Sequence, residues 1–554
     1  MSDDQHDQVD DQYPYDEAAD TAFERIAKNA LDDLLAIDPV DATALGDHRF
    51  DDRLADRSPA GVEEARRLLT GWLGSVDSID DTGLTPDNRV DHEILRSALA
   101  ARLFMLDQIK PYEWDPLDAN PGSALYLLLA RDFAPLGDRL LSMTGRLSAL
   151  PGSLADARAQ LGAMPRVHVE TAIGQFQGTR ALVSEQLAGA LDQEPTLAAE
   201  VGPARAAALE ALDEHLAWLA ARLPTSDRDP RLGAELYAGR LWHTLDTETS
   251  ADSVLVRAES DLMRIEAELA DAVGGADVRA VLDRLADDGY VDDSTVLPLC
   301  EQALRDTTAF VRGADLVSVP DEWDELVEII EMPEIHRGVA VAYCDPPGPL
   351  ETAQLPTFCA VSPTPADWPK ERVRSFYREY NAHLLRNLTV HEAMPGHVLQ
   401  LHRSREFVGT TPVRAAFWSG PFVEGWAVYA EAQMAAAGFG GVALRLQQLK
   451  MQLRMTINAI LDVRVHAHGM TEPEAMALMT GRGHQEVGEA AGKWRRAQLT
   501  SAQLSTYYVG HSEVADLARS LETARPQAGA RDRHDAMLAH GSPPPRHLRY
   551  LLGV

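Results

Sequence analysis

Hydrophobic residues recur at three- and four-residue steps along most of the chain. In the segment 21–37 this spacing places one set of side chains on a single face of an α-helix: Phe23, Ile26, Ala30, Leu31, Leu34 and Leu35. Similar amphipathic segments occur at 88–109, 197–222 and 253–272, where Ala, Leu, Glu and Arg dominate. The helical periodicity returns between residues 371 and 552. The sequence therefore predicts a mostly α protein, built as a large helical assembly.

Two segments differ from this pattern. Residues 1–18 combine many acidic side chains with few apolar ones, so we expect a disordered acidic tail. Between Val339 and Pro369 prolines alternate with short β-prone pieces, which predicts loops and two short strands. We therefore divide the chain into the tail, an N-terminal helical region at 19–338 and a helical region with the chemistry at 339–554. The last two are also compatible with one continuous domain.

The sharpest chemical signal is the segment LTVHEAMPGHVLQLH, which contains His391, Glu392 and His397. It resembles the zinc motif H-E-x-x-H, in which two His one turn apart bind zinc and the Glu activates a water. Here the second His follows the first by six residues, and an unbroken helix would rotate it by about 120°. Pro395 lacks a backbone N–H and Gly396 accepts unusual dihedral angles. We therefore predict a break in the helix between the two His.

A catalytic zinc site has three protein ligands and leaves the fourth position open. The segment FVEGWAVYAE supplies Glu424 and Glu431, which lie on nearly the same helical face but about 10 Å apart along it. We choose Glu424 because the neighbouring Gly425 permits close approach, and we expect Glu431 to orient a His ligand. The predicted ligands of one Zn²⁺ ion are therefore His391, His397 and Glu424.

Hydrolysis of an amide also requires hydrogen-bond donors aimed at the developing oxyanion. The candidates are Tyr507, Tyr508, His511 and His466. His466 follows Asp462 by four residues, so on a helix the two share a face and the carboxylate can fix the tautomer of the imidazole. We rank Tyr507 and His466 first as catalytic residues. Asp462, Tyr508 and His511 are predicted to support them or to contact substrate.

Composition narrows the partners and the location. The chain has 86 acidic and 51 basic residues, a formal charge of -35, which disfavours nucleic acid and anionic membranes as partners. The first 24 residues carry nine Asp or Glu and no Lys or Arg, unlike a secretory signal. Three cysteines without C-x-x-C spacing favour a reducing compartment. We predict a cytoplasmic protein.

Several blocks together resemble the domain-of-unknown-function family 885, helical proteins regarded as zinc metallopeptidase-like. The two specific blocks are HEAMPGHVLQ at 391–400 and EGWAVYAE at 424–431; the supporting blocks are DATALGDHRFDDRLADRS at 41–58, LDVRVHAHGMTEPEA at 461–475, YYVG at 507–510 and HDAMLAHGSPP at 534–544. The resemblance covers nearly the whole chain and implies the same zinc ligands, with Glu392 as general base. It also implies a distant likeness to helical carboxypeptidases and oligopeptidases, which enclose a deep cleft with a few short strands near the active site.

These observations predict a zinc-dependent hydrolase, a metallopeptidase that cleaves short peptides with metal-activated water and Glu392 as general base. Two alternatives remain open. The first is a metal-dependent amidase or deacylase that acts on a small non-peptide amide, because the same nucleophile attacks any carbonyl. The second is a non-catalytic helical binding protein with a vestigial or structural metal site, which would require a fourth protein ligand.

Overall fold

The computed structural model describes residues 15–247, 249–332, 341–365 and 368–554. Within these ranges the protein is mostly α, as the sequence predicts. No helix in the described ranges combines the length and the apolar composition needed to cross a bilayer.

Helices occupy most of the chain before the small sheet. Their bounds are α1 (Glu17–Ile37), α2 (Pro39–Leu45), α3 (Pro59–Asp77), α4 (Pro86–Phe104), α5 (Gly122–Ala130), α6 (Leu136–Gln160), α7 (Arg166–Ala181), α8 (Leu187–Gln193), α9 (Ala198–Arg222), α10 (Ala234–Leu245), α11 (Ala251–Ala272), α12 (Val278–Asp288), α13 (Val296–Ala314) and α14 (Trp323–Leu326). The amphipathic segments predicted at 88–109, 197–222 and 253–272 correspond to α4, α9 and α11.

Helices also form the chain after the sheet. They are α15 (Lys370–Glu379), α16 (Ala382–Glu392), α17 (His397–Glu406), α18 (Val413–Ala416), α19 (Gly420–Ala436), α20 (Gly441–His468), α21 (Glu472–Ala477), α22 (Val487–Leu499), α23 (Gln503–Ala524), α24 (Ala530–Leu538) and α25 (Pro545–Leu552). Helix α20 is buried along most of its length, on all sides. A helix that is buried all round forms the centre of a helical assembly.

Helix α1 shows how the hydrophobic spacing becomes a packed face. The buried side chains are Phe23, Ala27, Ala30, Leu31, Leu34 and Leu35, which follow one face of the helix. The helix begins at Glu17 because Asp16 accepts a hydrogen bond from the backbone N–H of Ala18. The predicted tail at 1–18 is therefore two residues too long at its end. Residues 1–14 lie outside the described residues.

A three-stranded sheet lies between the two helical stretches, with strands β1 (Val327–Glu331), β2 (Ala342–Asp345) and β3 (Thr357–Val361) in the order β1-β3-β2. Strand β3 pairs in parallel with β1 and antiparallel with β2. Strands β2 and β3 lie in the segment where the sequence predicts two short strands. The sequence predicts a helical region that includes the segment of β1. This strand is not predicted because it is defined by its pairing with β3, about 30 residues later, and that pairing has no local sequence pattern.

The hydrophobic core joins the two predicted helical regions. One cluster combines Tyr237, Leu262 and Leu282 with Leu453 and Tyr508. Helices α11 and α20 form one of the larger interfaces that bring these residues together. The predicted boundary between residues 338 and 339 falls outside the described residues.

Candidate metal centre

Helix α16 delivers two of the predicted site residues at its C-terminal end. At its other end the side chain of Asn381 accepts hydrogen bonds from the backbone N–H groups of His383 and Leu384, 3.1 and 3.3 Å away. The helix ends with His391 and Glu392, and both side chains are buried. The position of these two residues is therefore set by a capped and packed helix.

The helix breaks before the second predicted His ligand, as the Pro-Gly step predicts. Four residues connect α16 to α17, and the peptide bond before Pro395 is cis. A Cβ atom on Gly396 would lie 1.8 Å from the carbonyl oxygen of His391, so a larger residue does not fit there. Trp426 of α19 donates its indole N–H to the carbonyl oxygen of Pro395 over 2.8 Å. The break allows His397, the first residue of α17, to turn back toward α16.

The three predicted ligands converge. The imidazole rings of His391 and His397 lie 4.7 Å apart between centroids, at an interplanar angle of 84°. Glu424 Oε2 lies 3.4 Å from His391 Nε2 and 3.5 Å from His397 Nε2. One ligand atom from each residue lies within 4.8 Å of the others. Among the described residues, three side chains form this group, those of His391, His397 and Glu424.

The charges in this cluster are strongly coupled. Burial disfavours ionisation of Glu424, but the imidazoles of His391 and His397 outweigh it and lower the pKa of the carboxyl group below its ordinary value. Burial also lowers the pKa of His391, but the carboxylates of Glu424 and Glu431 outweigh it and raise this pKa well above its usual value. Negative charge therefore faces the His391 ring from two sides.

A second carboxylate holds the other nitrogen of His391. His391 Nδ1 lies 2.7 Å from Glu431 Oε1, and Asn387 Nδ2 donates to Glu431 Oε2 over 2.6 Å. Glu431 is almost fully buried. Since Nδ1 faces a carboxylate, it carries the proton and Nε2 is left to face Glu424 and His397. The structure thus brings Glu431 to the position in which the sequence analysis placed it. Asn387, one helical turn before His391, was missed.

The charge of Glu392 acts both on a residue near the cluster and on residues of the sheet. Its charge raises the pKa of Tyr507, and it also adds to burial in raising the pKa values of the Cys344 and Cys359 thiols. Cys344 and Cys359 are directly opposite each other on β2 and β3. The predicted general base therefore follows His391 in sequence and acts on Tyr507 through its charge.

Helices α19 and α23 approach closely beside the cluster. A Cβ atom on Gly425 would lie 2.4 Å from the backbone of Gly510, and one on Gly510 would lie 2.1 Å from the carbonyl oxygen of Pro421. The sequence predicts that Gly425 permits close approach to the metal. In the structure this glycine permits close approach between the two helices. The contact carries Tyr507 of α23 toward Glu424 of α19.

Tyr507 belongs to the site. The charge of Glu424 is the largest cause that raises the pKa of its phenol to about 12, and burial and Glu392 act in the same direction. Arg496 Nη2 donates to the Tyr507 hydroxyl oxygen over 3.4 Å. The phenol therefore stays protonated and retains its O–H as a donor.

The next residue on α23 faces elsewhere. The Tyr508 hydroxyl donates to Asp261 of α11 over 2.6 Å, and burial together with this carboxylate raises the pKa of the phenol. His511 lies among Asp261, Arg264 and Arg257, and burial lowers its pKa to about 4. The groups facing Tyr508 and His511 thus belong to the packing of α23 on α11. The role of Tyr508 and His511 in supporting the reaction or contacting substrate stays a prediction.

His466 is also engaged away from the ligands. Its Nε2 lies 3.0 and 2.9 Å from the carbonyl oxygens of Ala497 and Thr500, and its Nδ1 accepts from the backbone N–H of Leu232 over 3.4 Å. Its ring stacks on Tyr237 with centroids 5.4 Å apart. Both ring nitrogens are therefore engaged by backbone groups, Nε2 at the end of α22 and Nδ1 at Leu232. The prediction that His466 is an oxyanion donor is corrected.

Asp462 caps a helix instead of orienting His466. Its carboxylate accepts from the backbone N–H of Ala502 at 3.2 Å, and from the backbone N–H and hydroxyl of Ser505 at 3.0 and 2.8 Å. These donors lie at the start of α23, where N–H groups lack partners within the helix. The i, i+4 spacing correctly places Asp462 and His466 on one helix, but each binds a different neighbouring segment.

The cluster and its surrounding blocks are matched by a known family. The model of the family described as bacterial protein of unknown function (DUF885) matches residues 39–552. The chain belongs to DUF885. The family description assigns no activity, and no curated protein matches the chain.

Two solved structures share this fold over almost their whole length. A candidate lipoprotein of unknown function from Shewanella oneidensis is 28% identical, with a TM-score of 0.81, and the match covers 96% of this chain and 100% of that one. A candidate lipoprotein from Colwellia psychrerythraea is 16% identical, with a TM-score of 0.80 and coverage of 97% and 99%. These similarities show that the chain shares the fold of the two solved structures, and they assign it no chemistry.

Proposed function

We propose that this DUF885 protein is a zinc-dependent hydrolase and that it acts as a peptidase on short peptides. The convergence of His391, His397 and Glu424, with Glu392 next to the first ligand, is the observation that carries the proposal. Two imidazole nitrogens and one carboxylate oxygen are a common donor set of catalytic zinc. The same set also accepts other divalent transition metals, so zinc is the ion to test first.

The spacing of the donor atoms supports a metal at this place. Bond lengths of 2.0–2.2 Å in a tetrahedral site separate neighbouring ligand atoms by roughly 3.3 Å. The separations of 3.4 and 3.5 Å from Glu424 to the two His are close to that value. Glu424 Oε2 is buried and has no hydrogen-bond partner in the described chain, which is costly for a carboxylate oxygen. A cation bound by all three side chains would satisfy it.

When bound, zinc acidifies a water and polarises the carbonyl of the substrate. Glu392 takes a proton from the attacking water and later delivers it to the leaving amine. Tyr507 donates its O–H to the oxyanion that develops on the attacked carbonyl. Glu431 holds His391 in one tautomer, so that Nε2 faces the ligand position.

The two alternatives differ in what they require of the site. A structural metal site needs four protein ligands, whereas the group in the described ranges contains three, which favours catalysis. An amidase or deacylase would use the same groups in the same roles. The surface cavities near Arg519 and near Tyr126, of about 520 and 350 Å³, are lined by residues other than the ligands and do not bear on this choice. The deep cleft implied by the resemblance stays a prediction.

The cytoplasmic location also stays a prediction. The two similar solved structures are described as candidate lipoproteins, which is a statement about those proteins. Cell fractionation with an antibody against this chain would decide between the two locations.

A substrate screen with the zinc-loaded protein tests the proposed activity. We expect hydrolysis of short peptides that is abolished by a chelator and restored by Zn²⁺, with little hydrolysis of acyl amides that lack an amino acid after the scissile bond. Hydrolysis of the acyl amides alone would favour the deacylase. No hydrolysis of either class by a protein that holds its zinc would contradict the proposal.

A further inference from the structure

Four basic side chains form a group on two helices that carry none of the three predicted metal ligands, and one of the four, Arg496, contacts Tyr507. Lys450 and Arg454 belong to α20, and Lys493 and Arg496 belong to α22. The last two are three residues apart on their helix and so share one face. We call these four side chains the cation cluster. The proposed hydrolysis by Glu392 and Tyr507 assigns them no role.

Two carboxylates neutralise only half of the cation cluster. Lys450 Nζ lies 2.9 Å from Glu379 Oε2, and Arg454 contacts Glu489 with Nη2. The Tyr380 hydroxyl bridges this second pair: it accepts from Arg454 Nη2 over 3.0 Å and donates to Glu489 over 3.2 Å. Glu379 and Glu489 are therefore already engaged, and within the described chain neither forms an ion pair with Lys493 or Arg496.

The remaining charges are those of α22. Lys493 is 6% exposed, and within the described chain it has no hydrogen bond and no carboxylate within 4.0 Å. Arg496 donates Nε and Nη2 to the amide oxygen of Gln503, 3.1 and 2.8 Å away, and meets no carboxylate within ion-pair distance in the same part of the chain. Arg454 Nη1 is buried, makes no hydrogen bond in the described chain and lies 3.8 Å from Glu379 Oε1.

The electrostatic surroundings agree with this geometry. Burial lowers the pKa of Lys493 well below its ordinary value, and the positive charges of Arg454 and Arg496 lower it further against the opposing charge of Glu489. An anion bound here would favour the charged ammonium form of Lys493, would supply the acceptor that Lys493 lacks, and would give Arg496 a charged partner.

The cation cluster is connected to the proposed reaction through Tyr507. Arg496 Nη2 contacts the hydroxyl oxygen of Tyr507, and the charge of Glu424 is the largest influence on that hydroxyl. An anion held by Arg496 and Lys493 would thus lie a few ångströms beyond the group assigned to the oxyanion. One extended residue spans about 3.3–3.6 Å, so one or two residues cover this distance.

We propose that Lys493 and Arg496 bind the C-terminal carboxylate of the peptide, one or two residues beyond the scissile bond. The inference rests on the proposed peptidase function and makes it more specific, since the enzyme would then remove one or two residues from a free C-terminus. A carboxylate on an Asp or Glu side chain offers the same chemistry from a second source. The test must therefore separate the main-chain carboxylate from a side-chain carboxylate.

Binding is measured by calorimetry on the zinc-loaded Glu392→Gln protein, so that the ligands are not turned over. The ligands are N-acetyl-trialanine, its C-terminal amide, and the amide of N-acetyl-Ala-Ala-Asp. We expect the free acid to bind on the order of 100-fold more tightly than its amide, the size of a buried charged hydrogen bond. The Asp-containing amide should bind like the other amide.

The same titrations are repeated with Lys493→Met and Arg496→Gln added. Either change should reduce the preference for the free acid to roughly a few-fold, while the affinity for the amide stays unchanged. Arg495→Gln is the matched control on α22, because Arg495 is directed toward Thr171 and should keep the full preference. Arg496→Gln at a half-buried position keeps the test possible if Lys493→Met does not fold.

The outcomes separate the two proposals. Equal binding of acid and amide, no binding of the acid, or an undiminished preference in both variants would overturn the carboxylate site. Tight binding of the Asp-containing amide would overturn the C-terminal assignment. A strong preference for the free acid together with no hydrolysis by the zinc-loaded wild type would leave the carboxylate site standing and contradict the peptidase.

Discussion

Two buried histidines, His391 and His466, lie near carboxylates and show why the same residue types take different roles. His391 has Glu431 on Nδ1 and Glu424 on the side of Nε2. His466 follows Asp462 by one helical turn, but it meets backbone carbonyls on Nε2 and a backbone N–H on Nδ1. The first ring is surrounded by side chains that converge on one point. The second ring joins three backbone segments.

The surroundings of the two histidines differ in which buried polar atoms lack a hydrogen-bond partner. Around His391, the buried Oε2 of Glu424 and the buried Nδ1 of His397 have no hydrogen-bond partner in the described chain, which is the observation behind the proposed metal. Around His466, every ring nitrogen and the Asp462 carboxylate have protein partners. In this pair of sites, the convergent ligands with an unpartnered carboxylate oxygen favour a binding role, whereas the complete set of hydrogen bonds around His466 favours a structural role.

The largest expected effect on turnover comes from Glu392, and a carboxylate on the surface serves as its control. Glu392→Gln should lower peptide turnover by about 100- to 10,000-fold, the contribution of a general base, while the zinc content stays unchanged. Glu406→Gln, at the exposed end of α17, should leave turnover within about twofold of the wild type by the same reasoning. Steady-state kinetics beside metal analysis provide the check. Near-normal turnover in Glu392→Gln would exclude it as the base.

The neighbouring tyrosines of α23 give the next contrast. Tyr507→Phe removes the donor beside Glu424 and should lower turnover on the order of 100-fold at unchanged zinc content. Tyr508→Phe removes the hydrogen bond to Asp261, which should cost about 1 kcal/mol of unfolding free energy and leave turnover unchanged. Kinetics and chemical denaturation of both variants measure the two effects. Equal losses of turnover would show that the two hydroxyls do not differ in role.

Glu431, beside His391, and Asp462, one turn before His466, should affect different properties: zinc affinity and folding stability. Glu431→Gln should weaken zinc binding about 10- to 100-fold, because His391 loses its charged partner. Asp462→Asn should leave zinc affinity unchanged and lower the unfolding free energy by about 1–3 kcal/mol, because the cap of α23 is weakened. Competition with a chelator and denaturant titration are the measurements. A loss of zinc affinity in Asp462→Asn would contradict the contrast.

The smallest effect concerns pH. The pKa of Tyr507 is raised to about 12 from an ordinary value of 10.0, mainly by Glu424. Because the neutral phenol is the donor, a raised pKa extends the functional form to higher pH. In the metal-free protein, Tyr507 should therefore not ionise near its ordinary pKa of 10.0. Ultraviolet difference titration of the metal-free wild type against Tyr507→Phe tests this, and an ionisation with an apparent pKa near 10.0 that is absent from Tyr507→Phe would contradict it.

Local patterns in the sequence predicted much of the fold and the first ligands. The segment 197–222 was read as a helix from its periodicity and residues 198–222 form α9, because helical spacing is a short-range property. The break before His397 was predicted from Pro395 and Gly396, whose effects on the backbone are local. Strand β1 was missed because it is defined by its pairing with β3.

Long-range contacts explain the parts of the site that the sequence did not reveal. The cation cluster joins α20 and α22, and no motif links Arg454 to Lys493. The role of Asp462 depends on Ser505, 43 residues later, so the i, i+4 pattern with His466 was misleading. Which side chain remains without a partner is decided only when distant helices pack together.

The central claim is that His391, His397 and Glu424 bind one zinc ion. Metal analysis of the purified protein, prepared without added metal, tests it beside His391→Ala and Glu424→Ala, with His466→Ala as the control. We predict near one zinc per chain in the wild type and in His466→Ala, and loss of zinc in the two ligand variants. A protein that binds no metal, or that keeps its zinc in His391→Ala and Glu424→Ala, would contradict the account.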